Sequence, residues 1–268
     1  MSAKAAVIVA GIVIALPVAA DNAALTTGGL PTMMTSHPTV KMAWEKVQIT
    51  VHANYVDADC NFEFQNTGTA CNVRMGFPDF GLFAYAMKMD RPKSMFTFYQ
   101  SFVDGKRVAT KLVLGKGPGE QWQTKQVRFE AGQSHLVREH YHTELLGVSA
   151  NVVAGMVSYL LHTGSSWKGN IGDAVVAISF AEDSELQPPL VPVDGTTFKD
   201  PAEFEKAVGA KGGLVYLGQF KPTLDGLTLT YHRVNWKPSD KDDIMVAFRY
   251  PPKQLAKMKA AYDSKGGH

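Results

Sequence analysis

The chain has 268 residues, and its 27 Lys and Arg residues against 25 Asp and Glu residues give a formal net charge of +2. Hydrophobic residues make up 45% and charged residues 19%, a composition typical of globular proteins. These proportions exclude an intrinsically disordered chain, a polytopic membrane protein and a strongly basic nucleic-acid-binding protein, and the length predicts one or two domains.

The N-terminal segment over 1–20 has the anatomy of an export signal. Lys4 precedes an apolar run over 5–16, and Pro17 ends that run. A membrane-spanning helix needs about 20 apolar residues, and this run is shorter. Small residues before Ala20 complete the pattern of a cleavage site. We therefore predict cleavage after Ala20, a periplasmic or secreted protein, and no transmembrane anchor in the mature chain.

Cys60 and Cys71 are the two cysteines of the chain, and the segment between them reads as strand, turn and strand. Cys60 shares its alternation with Phe62 and Phe64, and Cys71 shares its own with Val73, so both side chains are expected on the buried side. An even cysteine count in an exported chain favours a disulfide. The sequence predicts a Cys60–Cys71 bond that stabilises the fold by about 3 kcal/mol. A redox pair, the alternative, usually has Cys-x-x-Cys spacing.

From Met42 onward, apolar residues recur at every second position, as in half-buried strands. Val47, Ile49 and Val51 show this alternation, and Asp104-Gly105 is a hairpin dipeptide. Short strands separated by turns predict a mainly β protein, an antiparallel immunoglobulin-like β-sandwich with one or two short helices. The main sandwich domain is expected over 21–185.

The section over 186–213 is rich in Pro and Gly and is predicted to be a linker with one short helix. Asp200 fits the N-cap of that helix, Pro201 its first position, and Glu203 the reciprocal capping carboxylate. A smaller β segment over 214–268 follows, with a closing helix over 253–262. Whether this segment is a separate domain or completes the first sheet stays open.

Several motifs occur in a fixed order between residues 21 and 180. They are Asp21-Asn22-Ala23-Ala24-Leu25, Gly28-Gly29-Leu30, Phe62-x-Phe64-x-Asn66, Gly76-Phe77-Pro78 and, most specifically, Thr163-Gly164-x-x-Trp167-x-Gly169-x-Ile171-Gly172. In this order the motifs resemble the bacterial exported proteins grouped as domain of unknown function 4424. The resemblance implies an exported β-rich fold and assigns no activity or catalytic residue. The paired cysteines depart from the family pattern.

The strongest metal-like cluster is His140, His142 and Glu144, with His135 nearby. On a strand these three residues share one face, and imidazole pairs at two-residue spacing can ligate zinc or copper. The sequence therefore allows a metal-dependent hydrolase. The alternative is the solvated face of an ordinary strand, because Val137, Tyr141 and Leu145 occupy the opposite face and mark it as the core side.

Asp57-x-Asp59-x-Asn61 resembles the start of a calcium loop. Phe62 stands where such a loop requires glycine, and Gly68 stands where it requires glutamate. The pattern therefore does not predict a calcium site.

Trp167 lies between Gly164 and Gly169 in a predicted loop. An amphipathic ring in a loop suits a glycan-binding site. The alternative is that the ring closes one end of the sandwich, because the glycines let the backbone fold over it.

The chain carries no assembled catalytic signature, and its basic residues are scattered, which excludes a nucleic-acid partner. The sequence predicts an exported envelope protein that acts as a non-enzymatic binding or structural β module, with another envelope protein or a glycan as its partner. No cofactor is predicted. The alternatives are a metal-dependent hydrolase that uses His140, His142 and Glu144, and a glycan-binding module that uses Trp167.

Overall fold

The computed structural model describes residues 28–29, 31–34, 39–80, 91–117, 119–145, 147–149, 153–249 and 256. The predicted signal segment over 1–20 lies outside these residues, as does the predicted closing helix over 253–262 apart from Ala256. The described chain is mainly β, which confirms the predicted class. Within that part of the chain, no helix has the length and apolar character needed to traverse a bilayer.

The described residues form eighteen strands and one α-helix of more than one turn, α1 (Pro201–Gly209). The strands are β1 (Gly28–Gly29), β2 (Thr32–Met33), β3 (Val40–Val51), β4 (Tyr55–Asn66), β5 (Cys71–Pro78), β6 (Phe96–Val103), β7 (Lys106–Val108), β8 (Lys111–Leu114), β9 (Gln121–Phe129), β10 (Ser134–Glu144), β11 (Gly147–Ser149), β12 (Val153–Leu160), β13 (Ile171–Phe180), β14 (Val191–Asp194), β15 (Gly213–Leu217), β16 (Thr223–Asp225), β17 (Thr228–Trp236) and β18 (Ile244–Arg249).

These strands form three sheets. The largest has eight strands in the order β16-β17-β13-β3-β4-β10-β6-β7, and a second has four strands in the order β2-β5-β9-β8. The third has six strands in the order β1-β12-β18-β15-β14, with β11 paired to β12. We call the eight-stranded sheet the large sheet.

Three strand pairs in the described chain are parallel, and here the prediction of antiparallel sheets is wrong. They are β3 with β13, β1 with β12, and β14 with β15. The last pair is a crossover through α1, the type of connection that parallel neighbours need. The other two pairs join strands far apart in the sequence, where no tight hairpin dictates the direction.

The core lies between the sheets and joins residues of all three. Phe62 of the large sheet, Phe77 of the four-stranded sheet and Tyr159 of the six-stranded sheet are buried in one apolar cluster. Strand β4 alternates strictly between buried and half-buried residues, because successive side chains point to opposite faces of a sheet. The large sheet therefore has one face in the core and one face toward solvent, which we call the outer face.

A β-bulge in β3 places a carboxylate in the core. The register shifts between Met42 and Trp44, so the buried parity changes from Val40 and Met42 to Glu45 and the apolar residues after it. Glu45 is wholly buried, and neither carboxylate oxygen has a hydrogen-bond partner among the described residues. Loss of solvation therefore raises the pKa of Glu45 well above its ordinary value.

The strands over 214–249 complete the sheets that the earlier residues begin. Strand β17 pairs with β13 of the large sheet, and β18 pairs with β12 of the six-stranded sheet. The predicted helix is α1, and the Asp200 side chain accepts a hydrogen bond from the Glu203 amide at 3.1 Å. The Glu203 carboxylate accepts from the amide of Lys199 at 2.8 Å, one residue before the predicted position.

The structure corrects the predicted disulfide, because Cys60 and Cys71 are free thiols. Both are buried as predicted, but β4 and β5 lie in different sheets. At about 3.3 Å per residue, Cys60 lies about 20 Å along β4 from its last residue, Asn66. The Asn66 side-chain Nδ2 donates to the carbonyl of Thr69 at 2.7 Å and holds the connection, and hence Cys71, at that end of β4. A disulfide requires Cα atoms within about 7 Å.

Candidate metal site

Two histidines and one aspartate meet on the outer face of the large sheet. His140 and His142 lie on β10, and Asp57 lies on the neighbouring antiparallel strand β4. His142 is directly opposite Asp57, and His140 is opposite Asp59, so His140 reaches Asp57 diagonally. Tyr141, between the two histidines, is buried in the core. The alternation of β10 therefore turns both imidazoles outward, as the sequence predicted.

The donor atoms of these three side chains converge. His140 Nε2 lies 2.9 Å from Asp57 Oδ1, and His142 Nε2 lies 3.7 Å from the same oxygen. One ligand atom from each of the three residues falls within 4.8 Å of the others. The side chains are 24%, 33% and 35% exposed for His140, His142 and Asp57, so solvent reaches all three. We call Asp57, His140 and His142 the outer site.

Aromatic rings flank the outer site on both sides. The ring of Phe98, on β6, lies 4.8 Å from the ring of His142 and 5.2 Å from that of His140. On the other side, the ring of Tyr55 lies 5.5 Å from that of His142. Tyr55 in turn stacks on His52, with ring centroids 4.3 Å apart. These contacts restrict the orientation of the imidazoles.

A second carboxylate beside the site is neutralised. Arg138 Nε donates to both oxygens of Asp59, at 2.8 and 3.0 Å, and Arg138 Nη2 donates to Oδ2 at 2.5 Å. Partial burial raises the pKa of Asp59, but the hydrogen bonds and the charge of Arg138 outweigh it and lower that pKa. Asp59 is therefore committed to Arg138. Asp57 supplies the negative charge that faces the histidines.

This donor set suits a divalent transition-metal ion. Zinc binds imidazole nitrogen and carboxylate oxygen, and sites with three protein ligands keep a further position open. In a tetrahedral zinc site with ligands at about 2.0–2.2 Å, the ligand atoms lie about 3.3 Å apart. The observed separations of 2.9 and 3.7 Å lie on either side of that value. Small rotamer changes of the three side chains would therefore admit an ion.

Of the predicted cluster of His135, His140, His142 and Glu144, only His140 and His142 belong to the converging group. Glu144 is exposed at the end of β10 and does not belong to the converging group; Asp57 takes its place as the carboxylate. His135 lies on the opposite, buried face, where Nδ1 is 2.6 Å from Asp104 Oδ2 and Nε2 is 2.9 Å from the carbonyl of Arg128. Both ring nitrogens of His135 are thus engaged in the fold.

Sequence reasoning missed Asp57 as a partner of the histidines. In the sequence, Asp57 belongs only to the calcium-loop pattern, and that pattern does not predict a site. Its outward parity in β4 was readable from the buried alternation of Cys60, Phe62 and Phe64. The pairing of β4 with β10, however, joins residues about 80 positions apart, and no local pattern encodes it.

Trp167 is a packing residue. Its side chain is 2% exposed, its ring lies 4.3 Å from that of Phe64, and its Nε1 donates to the carbonyl of Pro31 at 2.5 Å. Lys237 Nζ donates to the Trp167 carbonyl at 2.6 Å. The ring has no exposed face for a sugar, so the structure favours core packing over glycan binding for Trp167.

A buried polar cluster, also missed from the sequence, links two sheets. Lys125 on β9 forms an ion pair with Glu139 on β10, and the Tyr99 hydroxyl donates to Glu139 at 2.7 Å. Glu139 and Lys125 are almost wholly inaccessible to solvent. Breaking such a pair leaves an uncompensated buried charge, which is strongly destabilising. We assign this cluster to the fold because its two charged members are enclosed.

A histidine–aspartate pair joins two of the loops. Asp243 Oδ2 lies 2.7 Å from His162 Nδ1, while Asp243 Oδ1 accepts hydrogen bonds from the amides of Leu161 and His162 at 2.7 and 3.0 Å. The hydrogen bond to Asp243 raises the pKa of His162. All these bonds serve to hold the 161–162 segment, so we interpret the pair as structural.

No protein-family model matches the sequence, and comparison with curated proteins gives no match. The resemblance to domain of unknown function 4424 therefore stays a prediction. Among solved structures, the chain is similar to a Legionella pneumophila protein provisionally described as nutrient binding, with a TM-score of 0.60 and 15% identity over 90% of this chain and 76% of that one. At this identity the similarity shows a shared fold alone.

Two other similarities to solved structures are weaker. An M1 zinc metallopeptidase from Deinococcus radiodurans gives a TM-score of 0.35 at 10% identity, over 79% of this chain and 42% of that one. Yeast LTA4 hydrolase gives 0.41 at 6% identity, over 81% and 30% of the two chains. Scores this low support no conclusion about a common fold or chemistry.

Proposed function

We propose that this protein is an exported binding module of the bacterial envelope that binds a divalent transition-metal ion at the outer site. One observation carries the proposal: donor atoms of Asp57, His140 and His142 converge within 4.8 Å on a solvent-facing sheet. The similar Legionella fold, provisionally described as nutrient binding, supports a binding role. An immunoglobulin-like sandwich and a periplasmic or secreted location belong to the same proposal.

Charge supports a cation as the ligand. Imidazoles bind a metal ion in their neutral form. In that form the two imidazoles and the Asp57 carboxylate would give the outer site a net negative charge, since Arg138 already balances Asp59. The set of two nitrogens and one oxygen fits zinc and the late first-row divalent ions, of which copper binds most tightly in the general order of affinities. Magnesium and calcium prefer oxygen ligands and are disfavoured here.

Binding is favoured over hydrolysis at this site. A metal-dependent hydrolase needs a general base within hydrogen-bond reach of a metal-bound water. Asp59, the neighbouring outward carboxylate on β4, has both oxygens engaged by Arg138. The carboxylate that faces the histidines, Asp57, is itself the expected metal ligand. These commitments leave neither Asp57 nor Asp59 with the free oxygen that a base requires.

Calorimetric titration of the chelator-treated mature protein with zinc tests the proposal. We expect one ion per chain, and a loss of affinity of at least about tenfold in His140→Ala and His142→Ala, since even an outer-shell partner contributes that much. His232→Ala is the matched control, because His232 also faces outward from the large sheet and lies 2.7 Å from a carboxylate, that of Asp173. Absence of stoichiometric binding, or equal loss in the control, contradicts the proposal.

The predicted signal segment gives the export part of the proposal its own test. Cleavage after Ala20 makes Asp21 the first residue of exported material. N-terminal sequencing of protein from the periplasmic or culture fraction should begin at Asp21. An intact Met1 in that fraction would contradict the cleavage without affecting the metal site.

A further inference from the structure

The outer site supplies its three ligands from one side. Asp57, His140 and His142 all project from the same face of two adjacent strands, so a bound ion would lie above the sheet. Each side chain is at least 24% exposed, which leaves the hemisphere away from the sheet open to solvent. Among the described residues, no fourth His, Cys, Asp or Glu joins the converging group. A tetrahedral ion therefore needs one external donor, either water or a ligand.

The opening is bordered by two aromatic rings. Phe98 is directly opposite His142 in the β6–β10 register, and its ring contacts both imidazoles. Tyr55 approaches His142 from the β4 side, with ring centroids 5.5 Å apart. Both rings are half-buried and so keep part of their surface toward solvent. An external donor on the ion would therefore enter between the rings of Phe98 and Tyr55.

We infer that the metal-loaded outer site takes an imidazole as its external ligand, either free histidine or a histidine side chain of a polypeptide. The inference rests on the proposed function and specifies the ligand class. Imidazole combines a nitrogen donor for a late first-row ion with a planar ring that can contact Phe98 and Tyr55. Such ring contacts strengthen binding by about threefold to tenfold. Water and acetate can coordinate the ion but have no ring, so they lack the added affinity of these ring contacts.

The test uses the mature protein loaded with cobalt(II), whose visible absorption reports changes in its ligands. Titration with imidazole should give a saturable spectral shift at a lower concentration than titration with acetate. Blocked tripeptides, acetyl-Gly-His-Gly-amide and its Gly-Phe-Gly counterpart, separate a polypeptide side chain from free L-histidine. Gel filtration after each titration, with cobalt measured in the protein fraction, distinguishes a ternary complex from removal of the metal by the ligand.

Two phenylalanines on β6 provide the matched variants. Phe98→Ala should weaken imidazole binding by about threefold to tenfold, because its ring contacts with the external imidazole are lost. The comparison is made at saturating cobalt, so that a change in cobalt affinity from the lost contacts with His140 and His142 is measured separately. Phe102→Ala is the control, since that ring contacts Arg138 at 5.5 Å instead of the histidines. Phe98→Leu keeps an apolar side chain and replaces Phe98→Ala if the latter does not fold.

The outcomes separate this inference from the proposed function. Cobalt binding with no imidazole-dependent shift, or with equal imidazole affinity in wild type and the Phe98 variants, overturns the inference and leaves the metal site standing. Failure to bind cobalt or zinc at all overturns both. A shift with the histidine peptide but not with free L-histidine supports a polypeptide partner, and the reverse supports an amino-acid ligand.

Discussion

His140 Nε2 lies 2.9 Å from Asp57 Oδ1, although 83 residues separate the two in the sequence. The antiparallel pairing of β4 and β10 creates this contact, and it turns a pair of histidines into a three-ligand set. Since a ligand that binds only the folded chain stabilises it, metal binding and stability should be linked at this point.

Zinc should raise the melting temperature of the chelator-treated protein. At a free zinc concentration 100 times the dissociation constant, the expected stabilisation is about 2.7 kcal/mol, which corresponds to about 5–10 °C for a chain of this size. Asp57→Asn should lose most of this increase because it removes the anionic ligand. Thermal unfolding with zinc and with chelator measures the effect. An unchanged increase in Asp57→Asn would show that zinc acts elsewhere.

Both cysteines should titrate as free thiols. Denatured, non-reduced protein should react with two equivalents of a thiol reagent, because Cys60 and Cys71 are unpaired. In the native state the reaction should be slow, since desolvation by burial raises the pKa of both thiols and thiolate is the reactive form. Finding no free thiol under denaturing conditions would contradict this expectation and support a Cys60–Cys71 disulfide.

Asn66 should be critical for stability. Its side-chain oxygen accepts from Thr39 Oγ1 at 2.7 Å and from the Gly68 amide at 3.0 Å, and its nitrogen donates to the carbonyls of Thr69 and Glu130 at 2.7 and 3.0 Å. Asn66→Ala leaves several of these groups unpaired and should cost about 2–4 kcal/mol. Urea unfolding measures the change.

The control for Asn66 is Thr67→Ala, which removes two exposed hydrogen bonds: Thr67 Oγ1 donates to the Thr39 carbonyl, and it accepts from Lys168 Nζ. It should cost less than about 1 kcal/mol. Equal effects of the two substitutions would mean that the buried amide does not hold the β4–β5 connection.

Asp79 should make stability depend on pH. Burial raises its pKa from 3.8 to about 6 despite hydrogen bonds from Ser94, Gln123 and Met95. As the pH rises, the Asp79 carboxyl therefore ionises at a lower pH in the unfolded chain than in the folded chain. The stabilisation from this group is fully present below the unfolded pKa and is lost as the pH rises from about 4 to 6, by up to about 3 kcal/mol.

The Asp79 prediction is checked by urea unfolding at intervals from pH 3.5 to 7.5. Asp79→Asn removes the titrating group, so its stability should change less than that of the wild type between pH 4 and 6. Glu45 also has a raised pKa, so its ionisation likewise lowers the free energy of unfolding as the pH rises. Glu45→Gln removes this second contribution separately. Identical profiles for wild type and Asp79→Asn would contradict the assignment.

The sequence predicted what local alternation and capping determine. The outward His140 and His142, the buried Val137 and Tyr141, and helix α1 behind Asp200 all follow from side-chain periodicity or from the first helical turn. The position of Asp57 beside the two histidines does not follow in this way, because it depends on which strands become neighbours. Long-range pairing of strands leaves no periodic mark in either partner.

The cysteine prediction failed for a related reason. Parity correctly placed Cys60 and Cys71 on buried faces, yet the two strands enter different sheets at the connection held by Asn66. A strand–turn–strand pattern is the same for a hairpin and for a corner between two sheets. Only the hydrogen-bond partners distinguish the two, and for β5 these are β2 and β9.

The parallel pairing of β3 with β13 has a kinetic consequence. Val47 lies beside Val176 in the middle of the large sheet, so its central ladder joins residues about 130 positions apart. The chain loses the entropy of closing this long loop before the β3–β13 contacts can stabilise it. This places the fold among the slow-folding topologies of high contact order. Because synthesis starts at the N-terminus, one edge of β3 stays unpaired until the ribosome has released β13, about 130 residues later.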